Sequence, residues 1–345
     1  MSSSYFDGKG LFNEPKVTQF GSHMIMENVH KDEKKEYLTL DTVHSLNSDL
    51  SNNITKWDFK LADPIQEVTS MKIVAATIPL SWHQISESLQ NSYFAITTFK
   101  DDVEQSKVVI KVDDSEYLES TLISEINSKI TALITEPGAK KPVFVEAGFS
   151  SKPGVKITVD NTGGGSTYHY IVDFAVDKYG NIDKYNTKAK LGYALGFRKT
   201  SYNTKEGDIE AEKFVDILKR MDVYVAVEDF TTGYSGNYKL VQPDGGISRD
   251  NIMAKIRLDY DDRSKIRDPE AGAATTEEKQ KFALENTLHK YRKSVAEGDN
   301  LITGVRNYSG KTTLQKFTIS LRDKFGNMLN LNGMDFDITL EVKHL

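Results

Sequence analysis

The segment Ser309-Gly310-Lys311-Thr312 comes closest, in its residue types, to a motif with known chemistry, the end of a phosphate-binding loop. That loop has four residues between its first glycine and Gly-Lys-Thr, so that successive backbone amides surround the phosphates. Here five residues separate Gly304, the nearest upstream glycine, from Gly310. The segment also leads into a predicted strand, whereas the motif needs a helix N-terminus facing the anion. We therefore predict no nucleotide site.

Glycine and histidine signals elsewhere also lack the spacing that ligand sites require. Gly163-Gly164-Gly165 precedes a predicted strand and not a helix, so it indicates a hairpin loop and not a dinucleotide fingerprint. None of the seven histidines forms a His-Glu-x-x-His or His-x-His pair, and each is predicted to be a surface or structural residue. These histidines are His23, His30, His44, His83, His169, His289 and His344.

Two acidic runs, Asp113-Asp114 and Asp259-Tyr260-Asp261-Asp262, bring carboxylates close together in sequence. They lack the ligand spacing and the central glycine of a calcium loop. Paired carboxylates can hydrolyse glycosides, but nearness in sequence does not supply the spatial arrangement, so we predict solvated loops. No Gly-x-Ser-x-Gly elbow occurs. The sequence thus predicts no catalytic, cofactor-binding or metal-binding residue, no cofactor and no enzyme.

Composition narrows the classes of partner. The 345 residues carry a net charge of −6, so the chain lacks the basic surface that holds nucleic-acid phosphates non-specifically. The absence of cysteine excludes disulfides, thiolate metal sites and a cysteine nucleophile, and fits assembly in a reducing cytosol. Met1–Asn13 has no apolar signal-peptide core, and the longest apolar runs, such as Ile73–Leu80, are too short to span a membrane. Neither a secretion signal nor a transmembrane segment is predicted.

Strand signals dominate from Tyr37 onward. Trp57–Leu61 alternates apolar and polar residues, which indicates one buried and one solvated face, as in antiparallel sheets. Met71–Ile78 is mostly apolar and indicates a strand buried on both faces. The spacing of the candidates, often about 10–15 residues, favours a sandwich over alternating β–α–β units. The other predicted strands are Tyr37–Leu40, Tyr93–Phe99, Val108–Val112, Val143–Phe149, Val155–Val159, Tyr168–Val176, Met221–Val227, Ile252–Leu258, Leu314–Leu321 and Phe336–Val342.

Two segments predict helices inserted among these strands. Over Ser115–Ile134 apolar residues recur three or four apart, with Asp114 or Ser115 as N-cap and Pro137-Gly138 as the stop. Over Thr275–Val295 a similar stripe follows a capping box. Both helices read as loop insertions.

The domain organisation follows from these patterns. Residues 1–35 show neither helical nor strand periodicity and are predicted to form an extended N-terminal arm. Residues 36–345 are predicted to form one domain, with loop insertions at about 115–135 and 263–300. The predicted fold class is therefore mainly β: an antiparallel jelly-roll β-sandwich with one or two inserted helices and an extended N-terminal arm.

One short pattern occurs twice, as Asp177-Lys178-Tyr179-Gly180-Asn181 and as Asp323-Lys324-Phe325-Gly326-Asn327. Glycine adopts a positive φ without steric cost, and Asp and Asn side chains bind their own backbone, so each copy predicts a hairpin turn. We interpret the recurrence as shared turn chemistry and not as a duplicated domain.

Several blocks of sequence, taken in order, cover most of residues 37–345, and each is a strand with its turn. They are Tyr37–Asp41, Met71–Trp82, Tyr117–Ile134, Leu191–Phe197, Ile252–Ile256 and Leu314–Leu345. This order resembles the jelly-roll minor capsid and penton proteins of nucleocytoplasmic large DNA viruses, with the last block as the strongest match. The arm before Tyr37 and the predicted helix Thr275–Val295 lie outside the family pattern, which leaves the position in a capsid open.

The resemblance implies a structural protein of a large icosahedral double-stranded DNA virus. It would be a minor capsid protein that bridges or cements capsomers through its jelly roll, loops and arm; alternatively, it would be the penton subunit that forms a pentamer at the five-fold vertices. The implied partners are major capsid protein capsomers, other minor capsid proteins and, for a penton, further copies of the chain. No specific nucleic acid is implied. The implied location is the virion, assembled in the host cytoplasm.

A carbohydrate-binding jelly-roll module is the hypothesis from another class, since exposed aromatics among Tyr168, Tyr170, Tyr179 and Tyr185 could stack on sugars. The other residues singled out are structural. Trp57 and Phe59 are predicted to lie in or beside the core. Gly326, Gly333 and Asp335 are predicted to shape the terminal hairpin.

Overall fold

The chain is described by a computed structural model over residues 15–20, 23–28, 33–47, 55–117, 119–135, 140–147, 154–159, 168–183, 187–217, 222–240, 251–258 and 292–345. It divides into two compact units. Unit 1 comprises Met1–Leu80, Val223–Leu321 and Gly333–Leu345, and unit 2 comprises Ser81–Asp222 and Arg322–Asn332. The predicted single domain therefore contributes to both units, and the predicted limits at residues 35 and 36 stay a prediction.

The N-terminal region contains a pair of antiparallel strands, β1 (Pro15–Phe20) and β2 (His23–Asn28). The expectation of no strand before residue 36 is wrong here, and β3 (Lys34–Asp41) also begins before that limit. Two short strands that pair only with each other need no apolar alternation, because backbone hydrogen bonds alone define the ladder. Whether residues 1–35 act as an arm stays a prediction.

Unit 1 is built on one large antiparallel sheet. Its order is β16-β14-β12-β17-β4-β18-β3, with β13 paired to β17 and β15 paired to β4. The strands not yet given are β4 (Trp57–Pro79), β12 (Val223–Glu228), β13 (Tyr234–Gly236), β14 (Ile252–Ile256), β15 (Arg292–Ala296), β16 (Leu301–Thr303), β17 (Arg306–Arg322) and β18 (Asp337–His344).

Strand β4 runs unbroken for 23 residues, where the sequence predicted two separate strands. Its first part pairs with β17, from Trp57 opposite Ile319, and its second part pairs with β18, ending with Thr77 opposite Asp337. The polar stretch between the two apolar parts stays extended because register shifts in β17 absorb the irregularity. The alternating pattern of Trp57–Leu61 and the apolar pattern of Met71–Ile78 therefore belong to two parts of one strand, which pair with different partner strands.

Buried side chains of this sheet form the core of unit 1. Trp57 and Phe59 are buried, as predicted, and the Trp57 ring meets Phe336 edge-on with centroids 4.7 Å apart. Ile338 and Leu340 of β18 are also buried, which follows from the two-residue period of a strand.

Unit 2 contains two smaller antiparallel sheets and a helix. The sheet orders are β10-β9-β5-β6 and β11-β8-β7. Their strands are β5 (Tyr93–Lys100), β6 (Val103–Lys111), β7 (Val143–Ala147), β8 (Gly154–Thr158), β9 (Tyr168–Asp173), β10 (Ser201–Asn203) and β11 (Ile209–Glu210). The helices are α1 (Glu119–Leu133) and the single turn α2 (Leu191–Ala194). The mainly β, antiparallel class with few helices, consistent with a β-sandwich, is confirmed.

Helix α1 confirms the first predicted helix with a later start. Ser115 bridges to Ile85 in an extended conformation and does not cap the helix, so the predicted cap is wrong. Leu122, Ile126 and Ile130 of the apolar stripe are buried in the core of unit 2, whereas Leu133 at the end of the helix is exposed.

The second predicted helix, Thr275–Val295, lies mostly outside the described residues. Its last part is wrong, because Arg292–Ala296 forms strand β15. This segment pairs with Ala75–Pro79 at the end of β4, and long-range pairing overrides a helical pattern at this end of the segment.

Both copies of the repeated pattern form the predicted hairpin turn, and both lie in unit 2. Asp177 Oδ1 accepts the backbone amides of Tyr179 at 2.8 Å and Asn181 at 2.9 Å. Asp323 Oδ1 accepts those of Phe325 and Asn327, both at 2.8 Å. The glycines have φ of +82° at Gly180 and +88° at Gly326. The two turns share their chemistry, as predicted.

Candidate assembly surface

The described residues contain no group of three or more His, Cys, Asp or Glu side chains that could hold a metal ion. Ser309–Thr312 lies inside strand β17 and not at the N-terminus of a helix. Gly163–Gly165 and Asp259–Asp262 lie outside the described residues. Among the helices that the structure describes, none is long and apolar enough to cross a membrane.

Asp113, Asp114 and His169, three of the candidate ligands, are engaged in structural contacts. Asp113 pairs with Lys129 Nζ at 2.9 Å, and Asp114 accepts the backbone amide of Glu87 at 3.0 Å. His169 is buried, and its ring stacks on Phe99 at 4.9 Å between centroids. These contacts support the structural interpretation of the acidic run and of this histidine.

A buried charge cluster lies at the end of β12 in unit 1. Asp229 and Arg306 are 5% and 3% exposed, and Arg306 Nη1 donates to Asp229 Oδ2 at 2.7 Å. Arg306 Nη2 donates to the backbone oxygen of Val227 at 2.8 Å, and the hydroxyl of Tyr308 donates to Asp229 Oδ2. Burial alone would raise the pKa of Asp229, but the charge of Arg306 and these hydrogen bonds hold it below its ordinary value.

The cluster fixes the loop that follows it, residues 229–233, which we call the Phe230 loop. Asp229 Oδ1 accepts the amide of Thr231 at 3.1 Å and its hydroxyl at 2.8 Å. At the other end, the amide of Ser309 donates to the backbone oxygen of Gly233 at 2.8 Å. Between these anchors Phe230 has a φ of +58°, and its side chain is 62% exposed. A large residue in the left-handed region is strained, so the fold maintains this exposed ring against a local cost.

Unit 2 contains a cavity of about 250 Å³ with an aromatic floor and a basic rim, which we call the aromatic cavity. Phe174 and Phe197 are buried in its floor, with ring centroids 4.8 Å apart. The Arg198 guanidinium lies 3.8 Å from the centroid of the Tyr193 ring and donates to the backbone oxygens of Tyr193 and Phe197. The remaining lining residues are Thr187, Lys188, Lys199 and Thr200.

A second cavity, of about 180 Å³, lies in unit 1 beside the charge cluster. Arg306 forms part of its wall and lies 4.4 Å from the centroid of the Tyr234 ring. The guanidinium is already bound to a carboxylate and to backbone oxygens, so its contacts serve the fold.

Strand β3 is an edge of the sheet in unit 1. It pairs with β18 over its whole length, and no other described strand pairs with it. Lys34, Lys35 and Glu36 of this strand are exposed. Lys35 lies 3.9 Å from Glu341 of the neighbouring strand β18. Charged side chains of this kind limit uncontrolled edge pairing, while the backbone groups of the edge stay available to a specific neighbour.

Exposed apolar side chains lie at one end of this edge. Val43 and Leu46 follow β3, and Met334 precedes β18. The two loops are joined because Thr42 Oγ1 donates to Asp335 Oδ1 at 3.0 Å. Asp335 therefore shapes the terminal segment, as predicted.

Sequence reasoning missed the charge cluster and Phe230. Asp229 and Arg306 are 77 residues apart, and no local pattern links them. Of the tyrosines proposed to stack on sugars, Tyr170 is not exposed, because it is fully buried in the core of unit 2. Tyr179 is exposed, and Tyr185 lies outside the described residues.

Comparison with known proteins gives a likeness in structure but none in sequence. No protein-family model matches the sequence, and no curated protein matches it. Among solved structures, the crystal structure of the selenomethionine-labelled penton protein of mavirus is similar to this chain, with a TM-score of 0.36 and 11% identity over 91% of this chain and 100% of that chain. A TM-score this low does not establish a common fold, and the likeness carries no function with it.

Proposed function

We propose that the chain is a structural capsid protein of a large icosahedral double-stranded DNA virus. In this role it is a minor capsid protein that bridges or cements capsomers, and it acts by burying surface against its neighbours without turnover. The order of the sequence blocks over residues 37–345 motivates the proposal. The single structural observation that supports it best is edge strand β3, which pairs on one side only among the described residues.

This observation favours a binding role because an open edge is a ready template for a neighbouring chain. Exposed charges such as Lys34 and Lys35 limit indiscriminate pairing at an edge, so we expect the neighbour that pairs with β3 to carry complementary charge. The exposed residues Val43, Leu46 and Met334 add apolar area at the same part of unit 1. Standard protein interfaces bury about 1,200–2,000 Å² in total, which such a surface could supply together with the N-terminal residues.

The proposal is tested by incorporation into particles. A truncation of residues 1–32 leaves β3 intact and should yield a folded protein that no longer enters assembled particles. Normal incorporation of the truncated chain would argue against an arm that cements capsomers. A density map of the particle tests the capsid role itself. Density for the chain between capsomers would support the role, whereas density in the interior, or no density, would contradict it.

The penton subunit is the alternative position within the same function. It requires five-fold closure by one contact repeated around a ring. A stable pentamer of the purified chain, or density for it at the vertex, selects the penton over the cementing position. A carbohydrate-binding module remains the remote alternative, and binding to a glycan array would favour it.

A further inference from the structure

Phe230 has the properties of a preorganised anchor. Its backbone is strained at a φ of +58°, and its ring is 62% exposed. Two buried charges and a buried tyrosine hold the loop at Asp229, while Ser309 holds it at Gly233. Rigid aromatic side chains lose little conformational entropy on binding, so they dominate many protein interfaces.

The chain itself offers a receptor for such a ring. The aromatic cavity of unit 2 measures about 250 Å³, and a cavity of about 150 Å³ already accommodates benzene. Its floor of Phe174 and Phe197 suits edge or stacked contact with a further aromatic ring. Its volume is therefore sufficient for a phenylalanine side chain.

The charges around the two features are complementary. Glu228, two residues before Phe230, is exposed at the end of β12. Arg198 and Lys199 are exposed at the rim of the cavity. Charges at the edge of an interface orient the partners and raise the rate of association.

We propose that Phe230 of one copy inserts into the aromatic cavity of a second copy, with Glu228 facing Arg198 and Lys199. The two surfaces differ, so the contact is heterologous and repeats head to tail from copy to copy. Such a contact forms a ring if the rotation closes and a chain if it does not. This inference deepens the proposed function by naming a second copy of the chain as one of the neighbours. That the contact occurs within a shell rests on the proposed function.

The absence of cysteine allows a direct test. Single variants Phe230→Cys and Thr200→Cys, mixed in equal amounts and oxidised, should give a disulfide-linked pair of chains. The matched control replaces Phe230→Cys by Phe214→Cys, because Phe214 is equally exposed, at 65%, and has no place in the proposed contact. Cross-linking no stronger than in this control, both in solution at high concentration and in particles, would overturn the inference.

Charge reversal tests the rim independently. Glu228→Lys and Lys199→Glu should each weaken self-association in sedimentation equilibrium, and the two together should restore it. Phe230→Gly removes both the ring and the backbone strain, so it should fold at least as well as the parent while weakening association by about tenfold or more. Unchanged association of Phe230→Gly would contradict the anchor role.

The two proposals fail differently. If the chain enters particles but the Phe230–Thr200 cross-link is absent from them, the self-contact is wrong and the capsid role stands. If the cross-link forms in solution and the chain does not enter particles, the self-contact stands and the capsid role is wrong.

Discussion

Arg306 and Asp229 form an ion pair in which both side chains are almost fully buried, with Nη1 and Oδ2 2.7 Å apart. A buried pair of this kind gains little net stability over apolar residues, because both ions lose their hydration. Here the pair also satisfies the backbone oxygen of Val227 and two groups of Thr231. Its structural consequence is a fixed Phe230 loop.

Removing one partner of this pair should be strongly destabilising. Arg306→Leu leaves the carboxylate of Asp229 buried without its counter-charge, and we expect a loss of about 3–5 kcal/mol in the free energy of unfolding. Urea denaturation measures it. The control Arg306→Leu with Asp229→Leu removes both charges and should be clearly less destabilised than the single variant; equal losses would contradict the ion-pair account.

The pH dependence of the same site should change sign in Arg306→Leu. The pKa of Asp229 is held below its ordinary value, so in the parent this group contributes stability that is present above about pH 4 and is lost as the pH falls through its folded pKa. Without Arg306, burial dominates and raises that pKa, so the variant should gain stability relative to the parent as the pH falls. The free energy of unfolding of the parent and of Arg306→Leu is measured at several pH values below neutrality. A parallel loss of stability in both proteins would contradict this prediction.

Trp57 should contribute strongly to the core of unit 1. It is buried and contacts the edge of Phe336, so Trp57→Ala should cost about 3–5 kcal/mol in denaturant unfolding. The double variant with Phe336→Ala should lose less than the sum of the two single losses, because the aromatic contact is counted in both. A loss under about 0.5 kcal/mol, the size typical of surface positions, would mean that the strand is misplaced.

The twin turns offer a matched comparison of one carboxylate in two environments. Desolvation raises the pKa of Asp323 against its hydrogen bonds from Asn327 and Phe325. At Asp177, desolvation also acts upward, but hydrogen bonds from Asn181 and Tyr179 outweigh it and lower the pKa. Asparagine keeps an acceptor oxygen for the two backbone amides of the turn.

Asp323→Asn should therefore lower the free energy of unfolding less at pH 7 than at pH 3, because burial disfavours the parent carboxylate only when it is charged. Asp177→Asn should behave in the opposite way, being more harmful at pH 7, because the lowered pKa adds stability above about pH 4 and loses it in acid. Paired unfolding curves at both pH values decide it, and trends of the same sign would refute the assignment.

Edge strand β3 should become adhesive when its two lysines are removed. Lys34→Val with Lys35→Val removes both cations of the strand and leaves Glu36 and Asp41 as its charges, so self-association beyond that of the parent is expected in sedimentation velocity experiments. Lys316→Val is the control, because Lys316 is also exposed but lies on β17, which is internal to the sheet. Equal association of both variants would attribute the effect to surface hydrophobicity alone.

Much of the fold could be predicted because local patterns coincide with burial. Helix α1 follows its apolar period, strand Tyr93–Lys100 is a mostly buried run of β-forming residues, and Gly326 is needed where the turn requires a positive φ. Short strands such as Ser201–Asn203 and Arg292–Ala296 carry no such period, because each is defined by its partner strand. Nothing local shows where a partner lies.

The candidate surface was less predictable for the same reason. Phe230 reads as an ordinary apolar residue after a strand, and its exposure depends on Asp229 finding Arg306 far along the chain. The two aromatic rings of the cavity floor, Phe174 and Phe197, are likewise brought together by the fold. Exposed aromatics and long-range ion pairs appear only when strand pairing is known.

The position of β18 has a consequence for biosynthesis. This last strand, Asp337–His344, lies between β4 and β3, which are both near the start of the chain. The sheet of unit 1 therefore stays incomplete until β18 has left the ribosome, and its closure depends on contacts of high sequence separation, which form slowly. Most of unit 2 is contiguous, from Ser81 to Asp222, and can fold earlier during translation. In the nascent chain, β3 and β4 therefore stay exposed for longest, because β18 must arrive before it can pair with them.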